Sequence, residues 1–215
     1  MNIIYAIPGL GTTKDLFRYL DLYDTELRTL DWPLLEEGET MRSLAEKMAK
    51  GIDDTERFYL MGVSFGGMLC SEISLIKKPV KTILISSCKC RKELPFFLRW
   101  FRYFPLHKLV SESQHRKLAK RSRRLLGFER SFITDFHKMI DSMEENYFKR
   151  SINCVVNWKQ SNCSRPDIIH IHGTGDRLIP HMSVKCDYSI RNGSHAMVVN
   201  RAEEVSKILN EILRS

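Results

Sequence analysis

Arg57-Phe58-Tyr59-Leu60-Met61-Gly62-Val63-Ser64-Phe65-Gly66-Gly67 is the stretch that decides how this chain folds. Phe58–Met61 is an unbroken apolar run of the length expected for a buried strand. It enters Gly62-Val63-Ser64-Phe65-Gly66, a G-x-S-x-G turn that lifts a serine hydroxyl to the top of a parallel sheet. The glycines have a steric purpose, because side chains two residues before and after the serine would collide in so tight a turn. The following segment, GMLCSEISLI (67–76), continues an apolar helix, so strand, turn and helix come in the order the motif needs.

A serine hydroxyl is a poor nucleophile near neutral pH. It needs a base to take its proton and a carboxylate to orient that base. Asp176 ends the run Ile168-Ile169-His170-Ile171-His172-Gly173-Thr174-Gly175 in a glycine-flanked turn. His195 stands in Asn192-Gly193-Ser194-His195, after the apolar run Val184–Ile190. Both positions fall beyond the carboxyl ends of expected strands, where open parallel sheets build their sites. The strand expected over 80–86 ends in Ser86-Ser87-Cys88 and offers no carboxylate, which leaves Asp176 as the well-placed acid. Backbone N–H groups of Leu10, in Pro8-Gly9-Leu10-Gly11, and of Phe65 are the expected oxyanion donors. His170 and His172 read as structural residues of the strand leading to Asp176, with His172 bracing the turn. His107, His115, His137 and His181 carry no motif.

IPGLG, GVSFGG, HGTGDRLIP and NGSHAMV, in that order, resemble the α/β-hydrolase superfamily, and small bacterial members of it in particular. The resemblance spans 2–86 and 166–214. It implies a Ser64–His195–Asp176 triad in acyl-transfer chemistry. Many hydrolases have His-Gly where this chain has Pro8-Gly9, a change that keeps the backbone donor. The larger hydrolases begin with two antiparallel strands that have no counterpart here.

The chain has 215 residues, enough to bury a sheet core. Six strands are expected near 2–7, 26–31, 57–63, 80–86, 168–173 and 184–190, with helices near 13–22, 41–51, 65–76 and 201–213. The alternation predicts an α/β fold, a mostly parallel six-stranded sheet with helices on both faces. Thr40 is the expected N-cap of the second helix. Val205, Ile208, Leu209 and Ile212 form one apolar stripe on the last helix. The six cysteines follow no disulfide-like spacing and read as ordinary thiols, Cys88 and Cys90 included. With no signal-like or membrane-length apolar segment, this predicts a cytoplasmic protein.

Residues 88–163 break the alternation and read as several helices. The resemblance implies a helical lid there, inserted into a core of 1–87 and 164–215. Residues 91–130 hold 12 Lys or Arg against three Glu, more than the whole chain's net charge of +8. They also hold Phe96, Phe97, Trp100, Phe101, Tyr103 and Phe104, of which Phe97, Trp100 and Phe101 are the candidate substrate contacts. A solvated basic face, a dock for a carrier-linked acyl group and peripheral contact with an anionic membrane are the competing readings. No nucleic-acid module accompanies the basic run Lys117–Arg124.

The leading expectation is a serine hydrolase acting on a small-molecule carboxylic ester or thioester, with no metal or organic cofactor. An acyltransferase with the same triad, or a hydrolase-like module that binds without catalysis, are the alternatives. A haloalkane dehalogenase is disfavoured, because that chemistry needs a carboxylate where Ser64 stands.

Overall fold

The computed structural model describes residues 1–214. Six strands form one wholly parallel sheet: β1 (Asn2–Ile7), β2 (Thr25–Thr29), β3 (Phe58–Val63), β4 (Thr82–Ile85), β5 (Ile168–Gly173) and β6 (Tyr188–Ile190). Their spatial order is β2-β1-β3-β4-β5-β6. The chain starts in the interior of the sheet, moves to one edge, then returns past β1 to build the other side. The pairings Ile7 with Gly62, Val63 with Ile85 and Gly173 with Ile190 bring the carboxyl ends level. The turns after β1, β3, β5 and β6 therefore emerge along one edge, as ligand sites of such sheets require.

Helices α1 (Met41–Ala49) and α2 (Phe65–Ile73) follow β2 and β3. Between β4 and β5 come α3 (Phe96–Trp100), α4 (Glu112–Arg121), α5 (Arg123–Leu126), α6 (Ile133–Asp141) and α7 (Tyr147–Val156). The chain closes with α8 (Met197–Asn200) and α9 (Ala202–Arg214). Side chains alternate across a strand, so each inner strand feeds two cores. In β1, Ile3, Tyr5 and Ile7 join Leu44, Leu69 and Phe148 on one face, while Ile4 and Ala6 join Val205, Leu209 and Ile212 of α9 on the other. That two-sided burial is why these strands are continuously apolar. Thr40 caps α1 as expected, its side chain accepting from the Ser43 N–H at 3.0 Å.

Three expectations need correction. The helix expected over 13–22 is a single 3-10 turn, Lys14–Phe17. Its continuation is diverted by tertiary partners: the N–H groups of Asp21 and Tyr23 donate to Ser206 Oγ and Asn210 Oδ1 of α9, each at 2.9 Å. The strand expected over 184–190 shortens to Tyr188–Ile190, because Val184 turns back on His181 and the Lys185 N–H goes to Glu93. The six cysteines are not all free thiols. Cys90 and Cys163 are joined as a disulfide, their Cα atoms 5.2 Å apart across 73 positions. The two ends of the helical segment meet beside the sheet, where the Arg91 N–H also donates to the Gln160 carbonyl at 2.8 Å. The cysteine argument for a reducing compartment lapses with that pairing. Among the described residues no helix is long and apolar enough to cross a membrane.

Candidate active site

Ser64 joins β3 to α2 with φ +53° and ψ −118°, a backbone state that costs a side-chain-bearing residue about 1–3 kcal/mol. Three hydrogen bonds hold it there. Its N–H donates to the Ile85 carbonyl at 3.0 Å, and its carbonyl accepts from the Met68 N–H at 3.1 Å and the Ser87 hydroxyl at 2.6 Å. The need for glycine is direct, since a Cβ on Gly62 would stand 2.5 Å from the Gly66 backbone.

Asp176 follows β5 and is buried. Its Oδ1 accepts the N–H groups of Leu178 and Ile179, both at 2.9 Å. Its Oδ2 faces His195 Nδ1 at 2.7 Å, and His195 Nε2 faces Ser64 Oγ at 2.9 Å. Burial alone would raise the Asp176 pKa. The neighbouring His195, by charge and hydrogen bond, and the Ile179 N–H outweigh it and hold the carboxyl below its usual range. An ionised carboxylate can only accept, so His195 Nδ1 carries the proton and Nε2 is left to accept from the Ser64 hydroxyl. Sequence order alone placed these three residues at one edge; the folded chain sets them in a continuous hydrogen-bonded line.

Behind Asp176, His172 Nε2 donates to the Ile179 carbonyl at 2.9 Å and lies 3.5 Å from Asp176 Oδ2. Burial depresses the pKa of both His172 and His170, consistent with neutral rings inside the sheet.

The turn after β1 passes beside Ser64, where a Cβ on Gly9 would lie 3.6 Å from the serine Cβ. In that turn the Thr12 N–H donates to the Gly9 carbonyl and the Gly11 N–H to the Tyr147 hydroxyl. Among the described residues no backbone acceptor takes the N–H of Leu10 or Phe65, the two groups expected to face an oxyanion.

Ser64, His195 and Leu10 line a cavity of about 290 Å³. Its other walls are mostly apolar and come from the segment between β4 and β5: Leu118, Ala119, Leu126, Phe128, Phe136 and Phe148. Gly127 ends α5 in the left-handed region and presses on the histidine loop, with the Ala196 N–H donating to the Leu126 carbonyl at 2.9 Å. Phe97, Trp100 and Phe101 do not line this cavity, which corrects their reading as substrate contacts. Helix α3 is only five residues long and leaves Phe97 and Trp100 about half exposed, while α4 crosses over the site instead. Ser87 and His115 were missed by sequence reasoning. Ser87 carried a weak signal as the polar end of an apolar strand, and His115 carried none.

No family model and no curated protein matches the sequence. The structure is similar to that of an esterase (EaEST) from Exiguobacterium antarcticum, with a TM-score of 0.74 at 13% identity over 100% of this chain and 92% of that one. It is similar to a hydrolase from Pseudomonas aeruginosa PA01, TM-score 0.73 at 13% identity, covering 100% and 90%. It is also similar to ClbQ from the colibactin NRPS/PKS pathway, TM-score 0.67 at 15% identity, covering 100% and 98%. The chain has the α/β-hydrolase fold.

Proposed function

We propose that this protein is a serine hydrolase that cleaves carboxylic esters or thioesters carrying an apolar acyl group. The observation that carries the reading is the line from Asp176 through His195 to Ser64, at 2.7 and 2.9 Å, opening on an apolar cavity. Ser64 Oγ would attack the carbonyl carbon while His195 Nε2 takes its proton. The carbonyl π electrons move to oxygen, where the N–H groups of Leu10 and Phe65 would receive the charge; one such donor is worth about 3 kcal/mol. Collapse expels the alcohol or thiol, which takes the proton from His195, and leaves an acyl-Ser64 ester. Water, deprotonated by His195, then releases the carboxylic acid. Two structural neighbours, an esterase and a hydrolase, agree with this chemistry. The test is kcat/KM on a series of aryl esters and acyl-CoA thioesters. Ser64→Ala should abolish turnover, and Asp176→Asn should lower it by about 10⁴-fold through loss of tautomer control. Parental rates in either variant would overturn the assignment.

In this reading residues 88–163 form a lid over Ser64. Its outer face favours contact with an anionic lipid surface. Phe96, Tyr103, Leu106 and Leu109 are each more than half exposed. Arg99, Arg102 and Lys108 stand among them, and Phe96–Val110 contains no carboxylate. Aromatic side chains beside cations suit the headgroup boundary, at about 1 kcal/mol per Lys or Arg near the surface. Sedimentation with vesicles of phosphatidylcholine, with and without phosphatidylglycerol, tests this. Salt-sensitive binding to the anionic vesicles alone is expected. No binding to either, or salt-sensitive turnover confined to carrier-linked thioesters, would overturn it.

A further inference from the structure

The N–H groups of Leu10 and Phe65 belong to separate parts of the chain, the turn after β1 and the start of α2. To receive one oxyanion they must keep a fixed spacing, since such donors act at about 2.7–3.1 Å from a single oxygen. The β1 turn has little with which to hold itself in place. The Thr12 N–H and hydroxyl both go to the Gly9 carbonyl, at 3.1 and 2.8 Å. Leu10 lines the cavity, and Gly11, at φ +72°, has no side chain to anchor.

What fixes the turn comes from outside it. β2 lies beside β1, and the Leu30 N–H carries that pairing on to the Ala6 carbonyl at 2.9 Å. The chain therefore leaves β2 at the same sheet edge as the β1 turn and presents Trp32 there. The Trp32 Nε1–H donates to the Thr12 carbonyl at 2.9 Å. The same indole stacks on the Phe65 ring, with centroids 5.3 Å apart and planes 14° apart. Its other aromatic neighbour is Tyr147, the first residue of α7, at 5.5 Å and 64°. The buried Tyr147 hydroxyl accepts the Gly11 N–H at 3.3 Å. Burial raises its pKa by more than the hydrogen bonds of Gly11 and Ser151 lower it, so the phenol is neutral. The aromatic pair thus grips the turn just past Leu10 and stacks on Phe65. Neither Trp32 nor Tyr147 lines the cavity beside Ser64, so neither is placed to touch an acyl group there.

Packing alone would be served by apolar side chains. Here the polar atoms of both rings are directed at the backbone of one turn. We infer that Trp32 and Tyr147 are positioning residues that hold the Leu10 and Phe65 N–H groups in register for one oxyanion. The inference rests on the acyl-transfer reading of Ser64 and deepens it. A displacement of about 1 Å in a catalytic group can cost on the order of 100-fold in rate. The charge these donors meet develops only in the transition state, so the loss should appear in turnover and not in substrate affinity.

The experiment uses two variants that keep the rings. Trp32→Phe retains a ring against Phe65 and removes the indole N–H; Tyr147→Phe removes only the hydroxyl. Melting temperatures verify that both are folded. Each is assayed with an aryl octanoate and with an octyl trifluoromethyl ketone. Ser64 Oγ adds to the ketone carbon, His195 takes the serine proton, and the carbonyl oxygen becomes an oxyanion where that of the ester would form. Each variant should lose 10-fold or more in kcat and in kcat/KM together, and the inhibition constant of the ketone should rise by the factor by which kcat/KM falls. The dissociation constant of the ester on Ser64→Ala should be the same with and without each substitution. The pH profile of kcat/KM should keep its midpoint, because Asp176, His195 and Ser64 are untouched. Parental kcat and parental ketone inhibition in both variants would overturn the inference. So would an equal weakening of ester binding on the Ser64→Ala background, which marks general damage to the site. A parent with no Ser64-dependent turnover would overturn the hydrolase reading and this inference with it.

Discussion

Gly66 and Ile7 are so close that a Cβ on Gly66 would stand 2.2 Å from the Ile7 carbonyl oxygen and 2.4 Å from that of Pro8. The first turn of α2 is thereby pressed against the end of β1, which brings the β1 turn beside Ser64. The obstructing atoms are backbone in two central elements and cannot swing aside. Gly66→Ala should therefore cost several kcal/mol, about 10 °C or more in melting temperature, or prevent soluble expression. Thermal unfolding of the variant checks this. A parental melting temperature would mean that the β1 turn and α2 are not packed this closely.

The disulfide between Cys90 and Cys163 ties together the two ends of the helical segment. Closing a loop of this length restricts the unfolded chain by up to about 4 kcal/mol in the chain-entropy view. Peptide mapping without reductant should recover the Cys90–Cys163 pair, and reductant should lower the melting temperature by several degrees. Cys90→Ser should show the lower value with or without reductant. Equal melting of the parent in both conditions would contradict the contribution assigned to the pair.

Four buried histidines, His107, His115, His170 and His172, have pKa values pushed down, burial being the largest cause in each. Lys108 and Lys149 add repulsion at His107, and Glu112 partly opposes the shift at His115. The unfolded chain protonates its histidines near pH 6.5, while the folded chain keeps these four neutral. Their stabilising effect is full above that pH and is lost as pH falls below it, by up to about 1.4 kcal/mol per pH unit for each proton of difference. Glu93 works the other way, since burial raises its pKa, but its window begins lower, at the carboxylate range. Urea midpoints should drop between pH 7 and pH 5.5, and His107→Leu should reduce the slope. A midpoint constant over that interval would contradict the neutral assignment.

What was legible in the sequence depended on how local its cause is. The glycines around Ser64 answer to atoms a few residues away, and the apolar runs of β1, β3 and β5 answer to burial that any partner would provide. The order of Ser64, Asp176 and His195 identified loops at one sheet edge, but not the distances between them. The expected helix over 13–22 failed because Ser206 and Asn210, nearly 190 residues on, capture its N–H groups. Cys90 and Cys163 carry no spacing signal, since their meeting depends on how five helices fold back. Phe97, Trp100 and Phe101 looked like a substrate wall by composition, yet composition does not say which helix crosses the site. His115 is a lone histidine in a basic helix, and its place beside the cavity depends on where α4 crosses the site.

The most direct test of the central claim is covalent labelling by an alkyl fluorophosphonate, read by intact mass and peptide mapping. The proposed triad predicts one phosphonyl group per chain, on Ser64, with strongly slowed labelling in His195→Ala and none in Ser64→Ala. No adduct on the folded parent, or an adduct that persists in Ser64→Ala at the parental rate, would contradict the assignment of Ser64 as an activated nucleophile.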